Sequence, residues 1–137
     1  IGGKIMLKET YSAGKLDGES VVYTLRGMPL EIKNYKAGML HGPYKLYKEF
    51  GLDTYGNYED GKKEGYWVEK ATQGDTKSEG TYENGMKNGF WKLGATNLFG
   101  RCEGNFVNDK KDGKWTYWKH NGKKWKKEVW DKGTLIK

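Results

Sequence analysis

The segment Tyr82-Glu83-Asn84-Gly85-Met86-Lys87-Asn88-Gly89-Phe90-Trp91 closes one β-strand, turns, and opens the next. Asn84-Gly85 supplies the two positive φ angles that a tight hairpin turn requires. Aromatic residues stand at both ends of the segment, where they suit a pleated, half-buried surface. With the first aromatic, Tyr82, as position zero, the same grammar runs along the chain. Position zero is Tyr11, Tyr35, Tyr58, Tyr82, Phe106 and Trp130, at spacings of 24, 23, 24, 24 and 24 residues. Position three is Gly14, Gly38, Gly61, Gly85, Asp109 and Gly133, and position seven is Gly18, Gly42, Gly65, Gly89 and Gly113. Position nine carries Tyr44, Trp67, Trp91 and Trp115, position twelve Tyr23, Tyr47 and Trp118, and position sixteen Gly27, Gly51, Gly74 and Gly122. Gly56, Gly80 and Gly104 lie two residues before position zero.

This lattice predicts an all-β fold: an elongated, twisted antiparallel sheet of successive β-hairpins, with two strands in each repeat of about 24 residues and about eleven strands in all. No stretch sustains an apolar period of 3.6, so no long helix is expected. Residues 1–137 read as a single repeat domain. Asp60-Gly61 and Asn121-Gly122 read as tight turns like Asn84-Gly85, and the lysines and acids beside them as solvated loop residues. Pro29 and Pro43 fall beside turns or at strand starts, where a missing N–H is tolerated.

The repeat also accounts for the composition. Ile, Leu, Val and Phe supply only 23 of the 137 residues. So thin an aliphatic content with a net charge of +7 usually marks disorder, but the chain has 6 Trp and 10 Tyr. Residues two apart on a strand share a face. Gly80 therefore lies on the face of Tyr82, and Gly104 on that of Phe106, where a ring from the neighbouring strand can lie flat across the missing side chain. Each large side chain so buried contributes about 1.5–3 kcal/mol gross, and rings replace the aliphatic core. Positions nine and twelve differ by an odd number, which calls for either a bulge or aromatics on both faces.

The pattern Tyr-x-Asn-Gly-x-x-x-Gly-x-Trp, carried in full by Tyr82 to Trp91, with Asp60 for the Asn in Tyr58 to Trp67 and with Phe106 and Asp109 for the Tyr and first Gly in Phe106 to Trp118, resembles the bacterial variant of the MORN (membrane occupation and recognition nexus) repeat. The resemblance spans nearly the whole chain. Repeats of the ordinary type carry Gly at position nine, where this chain has Tyr44, Trp67, Trp91 and Trp115, and this departure points to the variant group. The resemblance implies a scaffold or protein-interaction role, antitoxin-like or surface-exposed in a bacterium, without catalytic activity.

The charge lies at one end. Residues 110–137 hold 10 Lys against Asp112, Glu128 and Asp131, and the preceding residues balance. Four of the six Trp are there as well. Trp115, Trp118 and Trp130 belong to the lattice, but Trp125 does not. Lys123, Lys124, Trp125, Lys126 and Lys127 are therefore the candidate binding surface. A protein partner is the first expectation. The alternative partners are an anionic membrane surface, reached by clustered cations, or nucleic acid, bound by stacking with phosphate contacts. Terminal lysines also protect an edge strand from aggregation, and self-association through open sheet edges is a third expectation.

No catalytic, cofactor or metal site is expected. Gly56 to Lys62 approaches a phosphate-binding loop, but Lys63 stands where Ser or Thr is needed. Glu59, Asp60, Asp109 and Asp112 lie in turns and nominate no acid–base pair. His41 and His120 read as exposed turn residues, and Cys102, the only cysteine, as a small partly buried one. The opening from Ile1 is too short for a signal peptide, and the sequence leaves a cytoplasmic and an exported location open.

Overall fold

The structure, a computed structural model, describes residues 6–48, 51–70 and 77–137. Gly74 and the first five residues lie outside that set. The chain gathers into two compact units, Ile1–Glu64 and Gly65–Lys137. The first unit holds β1 (Met6–Lys8), β2 (Tyr11–Ser12), β3 (Lys15–Leu16), β4 (Gly18–Tyr23), β5 (Pro29–Lys36), β6 (Met39–Leu40), β7 (Gly42–Lys48) and β8 (Gly51–Glu59). β9 (Lys62–Lys70) begins in its last three residues and runs into the second unit. There follow β10 (Lys77–Glu83), β11 (Met86–Leu93), β12 (Arg101–Val107), β13 (Lys110–Trp118), β14 (Lys124–Asp131) and β15 (Thr134–Leu135). The described residues form no helix, and their ladders are antiparallel. In the first unit the order is β1-β4-β5-β7-β8, with β6 on β5 and β2–β3 as a separate ladder. In the second, strands β9 to β15 lie side by side in sequence order. The fold is the expected antiparallel sheet of successive hairpins.

There are more strands than expected in part because the early repeats break just before position seven, at Asp17 and His41. Gly18 and Gly42 have φ of 106° and 109°, and there the strand after each turn is cut in two. Gly65, Gly89 and Gly113, at 76° to 79°, sit inside unbroken strands β9, β11 and β13, and β11 and β13 run on there through a bulge. Both residues at positions two and three of every repeat have positive φ, from Ala13-Gly14 to Lys132-Gly133, the signature of the two-residue hairpin turn. Gly122 differs from expectation: its φ is 86° while Asn121 stays outside the left-handed region. Its N–H donates to the Lys119 carbonyl (2.9 Å), and the Lys119 N–H to the Lys123 carbonyl (2.8 Å), so this turn is a wider one.

Successive turns are tied together by groups that read as solvated in the sequence. The position-three N–H of one repeat donates to the position-five carbonyl of the repeat before it: Gly38 to Leu16, Gly61 to Leu40, Asp109 to Lys87 and Gly133 to Lys111, at 2.8–2.9 Å. Position-six side chains accept from the next turn. Asp17 Oδ1 takes the Ala37 N–H (3.2 Å), His41 Nδ1 that of Asp60 (3.3 Å), Asn88 Oδ1 that of Asn108 (3.0 Å) and Asp112 Oδ1 that of Lys132 (3.0 Å). Asp109, in the place of a glycine, accepts the Lys87 N–H through Oδ1 at 2.8 Å. Asp112, Asp109 and His41 are thus structural ties rather than idle loop residues.

The core of the second unit is a zipper of rings on one face. Trp67, Trp91 and Trp115 are fully buried. Trp67–Tyr82, Tyr82–Trp91, Trp91–Phe106 and Phe106–Trp115 meet edge to face at centroid distances of 5.0–6.3 Å, the arrangement that ring quadrupoles favour. A Cβ added at Gly80 would stand under 3.0 Å from three ring atoms of Trp91, and one at Gly104 equally close to Trp115. The glycines are ring-sized gaps, as the sequence implied. Each ring also satisfies its own donor: Trp91 Nε1 donates to the Thr81 carbonyl and Trp115 Nε1 to that of Asn105, both at 3.0 Å. Position-five lysines roof the zipper. Lys87 Nζ lies 5.4 Å from the Trp91 centroid and 5.6 Å from that of Phe106, and Lys111 Nζ 4.9 Å from Trp115 and 5.0 Å from Trp130. Their stems shield apolar surface while their cations meet ring faces.

Candidate interaction surface

The five candidate residues of the basic segment do not form one surface. β14 pairs with β13 as Thr116↔Lys127 and Tyr117↔Lys126, then skips a residue to Trp118↔Lys124. Trp125 is the extra residue of that bulge. Its ring meets Tyr117 edge to face at 6.4 Å, and Lys126 Nζ lies 4.6 Å from the Trp125 ring and 5.0 Å from that of Tyr117. Trp125 and Lys126 therefore share the zipper face. Lys127 and Lys124 fall, with Thr116 and Trp118, on the opposite face. Lys123 sits in the turn, its N–H donating to Asn121 Oδ1 at 3.0 Å. Trp118 settles the position-twelve question: β12 and β13 stay in register from Arg101↔Trp118 to Glu103↔Thr116. Aromatics thus occupy both faces, and the guanidinium of Arg101 stacks 3.6 Å from the Trp118 centroid.

Below Trp125, a polar network closes the end of the zipper. Lys111 Nζ donates to the Tyr117 hydroxyl at 2.7 Å, and Trp130 Nε1 donates to Glu128 Oε1 at 3.2 Å. Lys126 Nζ stands 3.3 Å from Glu128 Oε2. Desolvation acts to raise the pKa of Glu128, but hydrogen bonds from Tyr117, Lys126 and Trp130 outweigh it and hold the carboxyl below its ordinary range. Burial, then the bond to Glu128, raises the Tyr117 hydroxyl. Burial pushes the Cys102 thiol up to about 11, which disfavours the thiolate that nucleophilic chemistry needs.

The bulge also borders a groove lined by Leu98, Lys119, His120, Asn121 and Trp125. His120 is pinned there, its Nε2 2.7 Å from the Thr96 carbonyl. Gly100 lets the preceding loop lie directly on the Lys119 backbone, where a Cβ would collide with the Lys119 carbonyl, and the Gly100 N–H donates to the Trp118 carbonyl at 2.7 Å.

Two further surface rings lie outside the candidate set. Tyr66 and Phe90, at position eight of successive repeats, are 57% and 53% exposed. Each immediately precedes a zipper tryptophan, so strand alternation places it on the opposite face. The hydroxyl of Tyr66 is held by Glu79. The alternation alone could have found these rings, since an aromatic next to a buried position-nine ring has to point away from it. Among the described residues, no group of three or more His, Cys, Asp or Glu side chains converges in a way that could hold a metal ion. No protein-family model matches the chain, and no curated protein was found to match it.

Proposed function

We propose that this protein is a non-enzymatic repeat module that binds another protein, with the zipper as scaffold and the opposite face as contact surface. The exposure of Tyr66 and Phe90 carries this reading. The zipper already uses Trp67, Trp91 and Tyr82, yet the same strands hold two more large rings in solvent at one lattice position. Exposed aromatics of this kind are enriched where proteins meet. The resemblance to the bacterial MORN variant supports an antitoxin-like or surface-interaction setting. A photo-crosslinking residue at position 66 or 90 should trap one protein in native cells, and Tyr66→Ser with Phe90→Ser should abolish capture by a tag without lowering the urea midpoint. Equal capture by that folded double variant would defeat the proposal.

The groove favours a second reading, in which an anionic membrane or nucleic acid binds through residues 110–137, because it sets the exposed Trp125 ring beside Lys119. That reading predicts binding of anionic liposomes or oligonucleotides that falls steeply with salt and is lost when Lys123, Lys124, Lys126 and Lys127 become Glu. Absence of binding by the unmutated protein at low salt would end it.

A further inference from the structure

The repeat lattice is interrupted on the face opposite the zipper. Position twelve is Tyr23, Tyr47 and Trp118 in three repeats, but Lys70 and Gly94 in the two between them. Trp118 shows what a ring does there: it is buried on this face, stacked against Arg101. Where Gly94 stands, no ring fills the same place. β10 and β11 pair as Glu79↔Lys92, and β11 and β12 as Leu93↔Cys102. Continuing both registers by the fewest residues sets Gly94 between Lys77 and Arg101. A pocket of about 190 Å³ lies there, lined by Lys77, Glu79, Lys92, Gly94, Arg101 and Cys102.

The lining is cationic and partly fixed in place. Lys77, Lys92 and Arg101 against Glu79 give a net of +2. Glu79 already accepts from the Tyr66 hydroxyl. The guanidinium of Arg101 stacks 3.6 Å from the Trp118 centroid, and its Nη1 stands 3.5 Å from Glu103 Oε2. A guanidinium carries five N–H donors, so this one contact leaves most of the fork to a ligand. Lys77 and Lys92 make no ion pair among the described residues.

We propose that this pocket receives one phosphorylated side chain, phosphoserine or phosphothreonine, of the partner protein. This rests on the protein-binding reading above and names the chemistry that its contact surface selects. A phosphomonoester of about −1.5 to −2 charge complements the lining. The arginine fork binds phosphate by paired hydrogen bonds, and the two ammoniums add point charges. A chain with a phosphate at every residue fits poorly. In the neighbouring row of the sheet the side chains run Glu79, Lys92, Glu103, so carboxylates interrupt any continuous basic track. The exposed ring of Phe90 stands two residues from Lys92 on the same face of β11, about 7 Å away. An extended peptide with its phosphate in the pocket therefore lays a side chain two positions away on Phe90.

The test is an NMR titration of the full chain with a nine-residue Thr-rich peptide that carries one phosphoserine and a Phe two residues to either side of it. Controls are the same peptide with Ser or Glu for phosphoserine, inorganic phosphate, and oligothymidylate. The phosphopeptide should saturably shift the Arg101 Nε–H signal and the backbone N–H signals of Lys92 and Gly94. Affinity should fall at least about tenfold for the Ser peptide and at least about threefold for the Glu peptide, which brings less charge and fewer acceptors. Inorganic phosphate, which lacks the Phe90 contact, should bind at least about threefold more weakly. Lys92→Gln and Arg101→Gln should each weaken the phosphopeptide about tenfold. Gly94→Tyr, which puts a position-twelve ring into the gap, should abolish binding, and if its urea midpoint shows that it does not fold, the exposed Lys92→Gln decides. Equal affinity of the Ser peptide, or no loss in Lys92→Gln and Arg101→Gln, would overturn the proposal. So would oligothymidylate binding more tightly at the same signals, or inorganic phosphate binding as tightly as the peptide. Crosslinking at positions 66 and 90 separates this proposal from the reading beneath it. Undiminished capture by the Lys92→Gln, Arg101→Gln double variant defeats the pocket and leaves the contact surface standing, whereas no capture by the protein without these two changes defeats the contact surface itself.

Discussion

Gly104→Ala isolates the ring-over-glycine contact on which the second unit is built. Gly104 has no positive φ, so alanine suits its backbone, and the added methyl acts only through what it meets. It would stand under 3.0 Å from three atoms of the Trp115 ring, which is wholly buried and cannot swing into solvent without opening the zipper. Forcing an extra methyl into a packed core costs about 1–3 kcal/mol. Displacing the ring also breaks the Trp115 Nε1 bond to the Asn105 carbonyl, and leaving a buried group unpaired costs about 1–3 kcal/mol more. The expected loss is thus about 2–6 kcal/mol, a large part of the roughly 5–15 kcal/mol a domain has to lose. Gly89→Ala is the comparison: a Cβ there meets nothing, but φ is 79°, so its cost should be the left-handed penalty of about 1–2 kcal/mol. Urea unfolding followed by tryptophan fluorescence measures both. Trp115→Val should cost less in the Gly104→Ala background than alone, with a coupling of about 1 kcal/mol or more. A Gly104→Ala loss below about 0.5 kcal/mol, or strict additivity with Trp115→Val, would refute the reasoning.

Three further outcomes follow from the turns and the closing network. Asp112→Ala removes the acceptor of the Lys132 N–H and should lower stability by about 1 kcal/mol in urea melts. Lys132 holds φ of 43° without the local hydrogen bonding that lets Asn adopt it, so Lys132→Asn should raise the melting midpoint, by about 0.5–1 kcal/mol in stability. Glu128 has a folded-state pKa below its unfolded one, so its contribution is present above the unfolded carboxyl range and is lost as pH falls through the folded pKa. The stability gap between the unmutated protein and Glu128→Gln, read from urea midpoints, should be widest near neutral pH and shrink on acidification. A gap that widened toward acid would contradict the assignment.

The features legible in the sequence were those that depend on residue type at a fixed spacing. Gly80 and Gly104 two before an aromatic, Trp91 and Trp115 nine after, and Asn84-Gly85 between them sufficed for the hairpins, the turns and the ring-sized gaps. What escaped depends on which neighbouring repeat a side chain reaches. Asp112 and Asn88 look like loop residues until the next turn's N–H is placed beside them, and Lys87 and Lys111 look solvated until their stems lie across rings of the same face. The basic segment looked continuous because Lys123 to Lys127 adjoin in sequence. The bulge at Trp125 and strand alternation send those side chains to different faces, and a one-residue register skip carries no compositional mark. Tyr66 and Phe90 carry no lattice signature of their own, and only strand alternation beside a buried position-nine Trp marks them as outward-facing.

The claim that buried position-nine rings on glycine gaps hold this protein together is tested most directly by exchange of the indole protons, followed by NMR. Trp91 and Trp115 are fully buried and bonded to backbone carbonyls, whereas Trp125 is 45% exposed. Their indole protons should exchange at least about a hundredfold more slowly than that of Trp125. Exchange of all three at a common rate would contradict the account.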